Sequence, residues 1–189
     1  MRTEGDITPV GTIISEKLAY DNPFFPVVER VIEDNNGDTR DPQFLWDRGS
    51  RKFAIALATT HRREIVLVRE PKYGQMDLFT SLPTGGVKKD EPELEAARRE
   101  FLEETGYQAK YWEPFKINSN PIISFADKID GGEHNLYYGW GADKVGEPEK
   151  FQEVLLFKPI QLREAILSGD LKIPAISIAA IFIGLAYLK

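Results

Sequence analysis

The chain has 189 residues, 42% hydrophobic and 29% charged, with a net charge of −6 and no cysteine. That length suits one ordinary domain with an extension, and the composition is globular rather than disordered or fibrous. It excludes disulfides, thiolate metal centres and a cysteine nucleophile, and an acidic chain with its Lys and Arg dispersed offers no footprint to a nucleic acid backbone.

The opening MRTEGDITPV has no apolar signal region, so a cytoplasmic protein is expected. The first fifty residues read as strands, around Phe25 to Ile32 and Gln43 to Trp46, with turn chemistry at Asn35, Asn36, Gly37 and Asp38 between them. Residues 1–50 are therefore assigned to an N-terminal β-rich region and 51–189 to the main domain. Lys52 to Thr60 and Glu64 to Glu70 read as a hairpin of buried strands turning at His61, Arg62 and Arg63. His61 and His134 have no motif partners and are expected at the surface. A loop at Pro71 to Gly74 and a short apolar stretch, Leu78 to Leu82, lead to the breakers Pro83, Gly85 and Gly86.

A helix follows. Asp90 with Glu93 reads as a capping box, Pro92 suits a first turn, and Gly106 is a natural stop. Leu94, Ala97 and Phe101 recur at helical spacing and form a core face. Beyond the helix, KINSNPIISF and EHNLYYGWGA read as strand, turn, strand, and Gly141 to Lys150 as a polar loop. FQEVLLFKP is a strand and Gln161 to Ser168 a short helix. Ile173 to Leu188 is apolar almost all round but spans 16 residues, short of the ~20 that cross a bilayer. It reads as a buried C-terminal helix, part of which could face a second subunit. Strands, helix, strands, helices predict an α/β chain with a mixed sheet covered on two faces.

Chemistry concentrates in GGVKKDEPELEAARREFLEETGY, with seven acidic and four basic side chains. At 100° per residue, Glu100 and Glu104 share a face and Glu103 lies beside them. Such like-charge neighbours repel by a few tenths of a kcal/mol, about as much as an opposite pair attracts. A hard divalent cation prefers a few carboxylates with a backbone carbonyl and water, and a glycine-rich loop lets a carbonyl come close. Cations so held can bridge a diphosphate and activate a water. The plain alternative is a solvated face of mixed charge, disfavoured because no basic residue separates Glu100 from Glu104.

The stretch resembles the Nudix box, G-x5-E-x7-R-E-U-x-E-E-x-G-U with U apolar. Gly85, Glu91, Arg99, Glu100, Glu103, Glu104 and Gly106 fill every fixed place, and Phe101 and Tyr107 the apolar ones. Seven fixed places at roughly 6% background give a chance match on the order of 10⁻⁹ per start position. The resemblance implies a Nudix fold, an α/β/α sandwich, and a hydrolase that splits a diphosphate linked to another moiety using Mg²⁺ or Mn²⁺. It implies metal ligation by Glu100, Glu103, Glu104 and the Thr84 carbonyl, with Glu103 and Glu104 thereby catalytic. Gly85, Glu91, Arg99 and Gly106 would support the loop–helix geometry.

Outside the box the chain is similar to the ADP-ribose pyrophosphatase group, in its N-terminal strands, in Pro121 fifteen residues after Gly106, and in its closing strand and helices. Where that group usually carries an acid in the strand before the box, this chain has Ser81. The resemblance implies a nucleoside diphosphate sugar as the small-molecule substrate, ADP-ribose first, cleaved to a nucleoside monophosphate and a sugar phosphate by a homodimer. Arg69, Phe25, Trp46, Glu133 and Pro121 are the substrate-side candidates, against ordinary surface or core roles for Arg69 and the aromatics. Glu149, then Glu147, are candidates for the general base; Glu153 is a plainer strand residue. The competing readings are GDP-mannose, another sugar nucleotide or a nucleoside triphosphate as substrate, and a non-catalytic nucleotide-binding module.

Overall fold

A computed structural model describes residues 11–23, 26–39, 41–47, 51–115, 122–123, 129–130 and 133–187. The chain divides into two units, one of residues 1–50 and 124–132, the other of 51–123 and 133–189. In the first unit β1 (Thr12–Tyr20), β2 (Val27–Glu33), β3 (Gln43–Asp47) and β10 (Ile129–Asp130) form a sheet in that order. β1 to β3 are antiparallel neighbours, and β10 joins β3 in parallel.

The second unit is built on a mixed sheet. Its path runs β12 (Glu153–Phe157), β5 (Ile65–Lys72), β4 (Lys52–Thr60), β11 (Glu133–Lys144), β8 (Tyr107–Pro114). β4 and β11 are parallel; the other neighbours on the path are antiparallel. Alternation along β4 decides the layering. Ala54, Ala56 and Ala58 point to one face, where their small side chains admit α1 (Glu93–Thr105) with its buried Ala97 and Phe101. Ile55 and Leu57 point to the other, against α2 (Pro159–Ser168) and α3 (Ala175–Tyr187). The expected α/β/α sandwich is what forms. α3 buries Ser177, Ala180 and Ile181, and Gly184 lies so close to Leu57 that a Cβ would fall 2.3 Å from its Cδ1. Among the described residues no helix is long and apolar enough to cross a membrane.

One local feature positions the site. β4 pairs with β5 only at Ala58 and Thr59. Nearer its start it pairs instead with β7 (Thr84–Gly86), through Phe53, Ala54 and Ile55. The Ala56 N–H bonds the Pro83 carbonyl across the split, 2.9 Å. Past the split β5 pairs with β6 (Asp77–Ser81). Two of the breakers, Gly85 and Gly86, thus belong to a short strand packed against α1, with Pro83 just before it.

One strand adds to the expected order, and one expectation needs correction. The strand after α1 is Tyr107–Pro114, starting directly at the helix stop. Of KINSNPIISF, only Ile122–Ile123 lies within the described residues, as β9 against β11. His134 is buried, 6% exposed, and stacks on Phe53 at 4.9 Å rather than lying at the surface.

Candidate active site

α1 begins without the expected capping box. Pro92 is its N-cap and no side chain caps it. Glu93 is drawn away by tertiary partners: the Lys52 ammonium donates to it, and so does the Tyr137 hydroxyl at 3.2 Å. Glu91 instead accepts the Lys88 N–H at 2.9 Å, and Asp90 sits at φ 63° within that turn.

Arg99 organises the loop and the helix. Its Nε and Nη2 donate to the two Glu91 oxygens at 2.8 and 3.0 Å, and Nη2 also reaches the Gly86 carbonyl at 3.0 Å. Its Nη1 donates to Glu100 at 2.6 Å and to Glu103 at 3.0 Å. This forked, charge-assisted contact holds the Glu91 carboxyl down at about 2. Glu95, a possible Arg99 partner at i−4, pairs with Arg98 instead.

Gly85 and Gly106 are required for contact. A Cβ on Gly85 would stand 1.9 Å from the Glu100 Cδ, so the carboxylate lies directly on the β7 backbone. Gly106 ends the helix at φ 68°, and a Cβ there would meet the Gly146 carbonyl at 2.4 Å. The loop after β11 docks on that end. Val145 and Gly146 donate to the Gly106 carbonyl, and the Glu149 N–H to the Glu103 carbonyl, each at 2.9 Å.

Gly85→Ala follows as a test of the first contact. The clashing atoms are the far end of a flexible side chain, so stability should fall by about 1 kcal/mol or less. Displacing the carboxylate should still cost on the order of 10²-fold in turnover. Melting curves and steady-state rates check both; equal loss of fold and activity would contradict it.

Glu104 is the least compensated group. It is 9% exposed. Burial pushes its carboxyl up to about 8, with the Glu70 and Glu100 charges acting the same way and the Thr84 N–H and Lys72 opposing. Burial also raises Glu100, opposed by Arg99 and aided by the charges of Glu103 and Glu149. Among the described residues no three acidic or imidazole side chains already stand as a ligand set, since Arg99 draws Glu100 and Glu103. The donor chemistry nevertheless fits a hard divalent cation: a buried carboxyl beside two more carboxylates, with Lys72 too weak to hold it ionised, offers oxygen ligands that such a charge would complete.

The structure thus gathers Thr84, Gly85, Glu91, Arg99, Glu100, Glu103, Glu104, Gly106 and Glu149. Glu147 does not join them; its side chain is 83% exposed and pairs with Lys144 at 2.9 Å. Arg69 donates to Glu153 at 2.9 Å across the β5–β12 pair, and Glu133 lies 3.9 Å from Lys52 at the start of β11. Trp46 belongs to β3 in the first unit. Phe25 and Pro121 lie outside the described residues. Sequence reasoning missed Glu70. Its signal was the alternation Val66, Val68, Glu70, which carries the α1 side of β5 on to an acid.

A NUDIX domain model matches residues 50–170. The chain is 27% identical over 150 residues to the CMP-5'-(N-acetyl-N-hydroxy-3-aminopropyl)phosphonate hydrolase of Streptomyces rubellomurinus, covering 79% of this chain and 69% of that protein. A crystal structure described as an ADP compounds hydrolase superposes with a TM-score of 0.78 at 19% identity, over 94% of this chain and 93% of that one. Family match, sandwich fold and an intact box running from β7 through α1 agree, and the chain belongs to the Nudix family as a pyrophosphohydrolase.

Proposed function

We propose that the protein hydrolyses the diphosphate of a nucleoside diphosphate sugar, ADP-ribose first, with Mg²⁺ or Mn²⁺ held by Glu100, Glu103, Glu104 and the Thr84 carbonyl. The observation that carries this reading is Glu104, buried beside the charges of Glu70 and Glu100, which with burial outweigh the opposing Lys72 charge and the Thr84 N–H. A divalent ion there supplies charge to offset the diphosphate oxygens and to acidify a water. Arg99 and Glu91 hold the loop against the helix, and Gly85 leaves room for the Glu100 carboxylate. Glu149 accepts the proton of the attacking water; its loop is tied to the helix through Glu103, and its charge is felt at Glu100. Water adds to one phosphorus, the bridging P–O bond breaks, and a nucleoside monophosphate and a sugar phosphate leave.

A second reading has its own support. The Streptomyces relative is named for CMP joined to a phosphonate, and the solved neighbour for ADP compounds. Both names describe a nucleoside phosphate carrying a further group, so a CMP-linked phosphonate belongs beside ADP-ribose and GDP-mannose in any substrate panel. Product chromatography with Mg²⁺ should show nucleoside monophosphate released from at least one of these. Exclusive release of pyrophosphate from nucleoside triphosphates would overturn the assignment. Glu149→Gln should lower kcat by 10²–10⁴-fold with KM little changed; an unchanged kcat would remove it as the base.

The same reading takes the protein as a homodimer. Ile13, Ile14, Leu18 and Tyr20 of β1 are each at least half exposed, an unusual density of apolar side chains on one strand. Light scattering should give twice the 21.5 kDa chain mass; a monomer at micromolar concentration would refute it.

A further inference from the structure

The sheet face opposite α1 carries a cavity of about 800 Å³, between the β4–β5 turn, the middle of β11, β8 and the start of α2. Its floor is aromatic. Tyr138 and Trp140 lie two apart on β11, and Tyr111 is the partner of Trp140 on β8, so all three share a face. The Trp140 ring stacks on Tyr111 at 5.2 Å and 21°, and on Tyr138 at 5.5 Å and 22°. Gly141, at φ 69°, sits where the β11–β4 register shifts, a bulge that re-aims the side chain before it. The stack is not covered: Tyr111 is 46% exposed.

Its rim carries cations. Arg62, Arg63 and Lys158 line the cavity with His61, and among the described residues no carboxylate lines it, in a chain whose net charge is −6. Two carboxylates stand behind the rim: Asp143 is 3.2 Å from His61 and Glu64 is 4.0 Å from Lys158. The Lys158 ammonium donates to the Arg62 carbonyl and so fixes the start of α2 to the turn. A volume of this size, a flat π surface and clustered guanidinium and ammonium groups suit a planar ring bearing a phosphate.

We propose that this cavity is a second ligand site, for a nucleoside phosphate, with its base on the Trp140–Tyr111 stack and its phosphate among Arg62, Arg63 and Lys158. The site is separate from the box. The sheet lies between them, and Thr59 at the cavity is four residues beyond Ile55, the partner of Thr84, about 13 Å along β4. It does not depend on which diphosphate the box cleaves.

Calorimetry with AMP and CMP, on the full chain in EDTA, tests it. At least one nucleotide should bind, with adenosine alone and inorganic phosphate alone at least tenfold weaker. Arg62→Glu, on an exposed turn, should weaken that binding more than tenfold and leave hydrolysis at the box unchanged. Trp140→Phe keeps a stacking ring and should retain the binding that calorimetry reads. The proposal is overturned if neither nucleotide binds at millimolar concentration, or if binding is lost in Glu104→Gln and kept in Arg62→Glu.

Discussion

Glu104→Gln is expected to lose turnover by several orders of magnitude and, without metal, to be more stable than the parent at pH 8. The two effects have one cause. Gln retains the shape of the side chain but not the charge that a divalent cation needs. The stability effect follows from linkage. The carboxyl titrates near its ordinary 4.5 in the unfolded chain and at about 8 in the folded one. Between those values the folded state binds more protons, so stability falls as pH rises through that window and levels off above it. The loss amounts to a few kcal/mol at most. Gln has no proton to lose, so the variant should show a flatter dependence. Urea midpoints in EDTA at pH 5 and pH 8 would show it, and Mg²⁺ should raise the parent's midpoint at pH 8 but barely move the variant's. A variant less stable than the parent at pH 8 would mean that Glu104 is compensated within the protein, and the metal assignment would lose its basis.

The same residue shows what a sequence can carry. Helical spacing placed Glu100, Glu103 and Glu104 on one face and Ala97 and Phe101 on the core face, and Gly106 ends α1 as its position suggested. Those features are local, and local pattern predicts them. The capping box failed because Glu93 has better partners in Lys52 and Tyr137, strands away in sequence. Tyr107–Pro114 was passed over because it is an edge strand with little burial beyond Ala109, whereas KINSNPIISF holds an apolar run. β1 escaped notice for a related reason, since every residue in it is exposed and no alternation marks it. Glu70 was hidden differently. Its strand is legible, although β5 runs on through Pro71 and Lys72 where a loop is expected, but nothing local shows that this end of β5 lies near Glu104.

Arg99→Met is expected to cost about 2–3 kcal/mol of stability at neutral pH and most of the activity with it. The methionine fills similar volume but leaves Glu91 and Glu100, with side chains only 16% and 15% exposed, without their counter-charge. Breaking a fully buried pair costs about 3–5 kcal/mol, and the partial exposure here lowers that figure. The sign with pH is opposite to that of Glu104. The Glu91 carboxyl is depressed to about 2, so its pairing contributes above the usual 4.5 and is lost as pH falls toward 2. The Arg99→Met defect should therefore shrink in acid. Adding Glu91→Gln should restore part of the stability, because the stranded charge is gone, and the two changes should be non-additive. Arg99→Lys should fall between, since an ammonium cannot fork onto both Glu91 oxygens while also reaching Glu100, Glu103 and the Gly86 carbonyl. Denaturant midpoints from pH 3 to pH 8 on the three variants separate two roles for the guanidinium. A brace between loop and helix predicts coupled losses of stability and rate. A group that grips the substrate's phosphates predicts a higher KM in Arg99→Met with the fold intact, and that outcome would reverse the assignment.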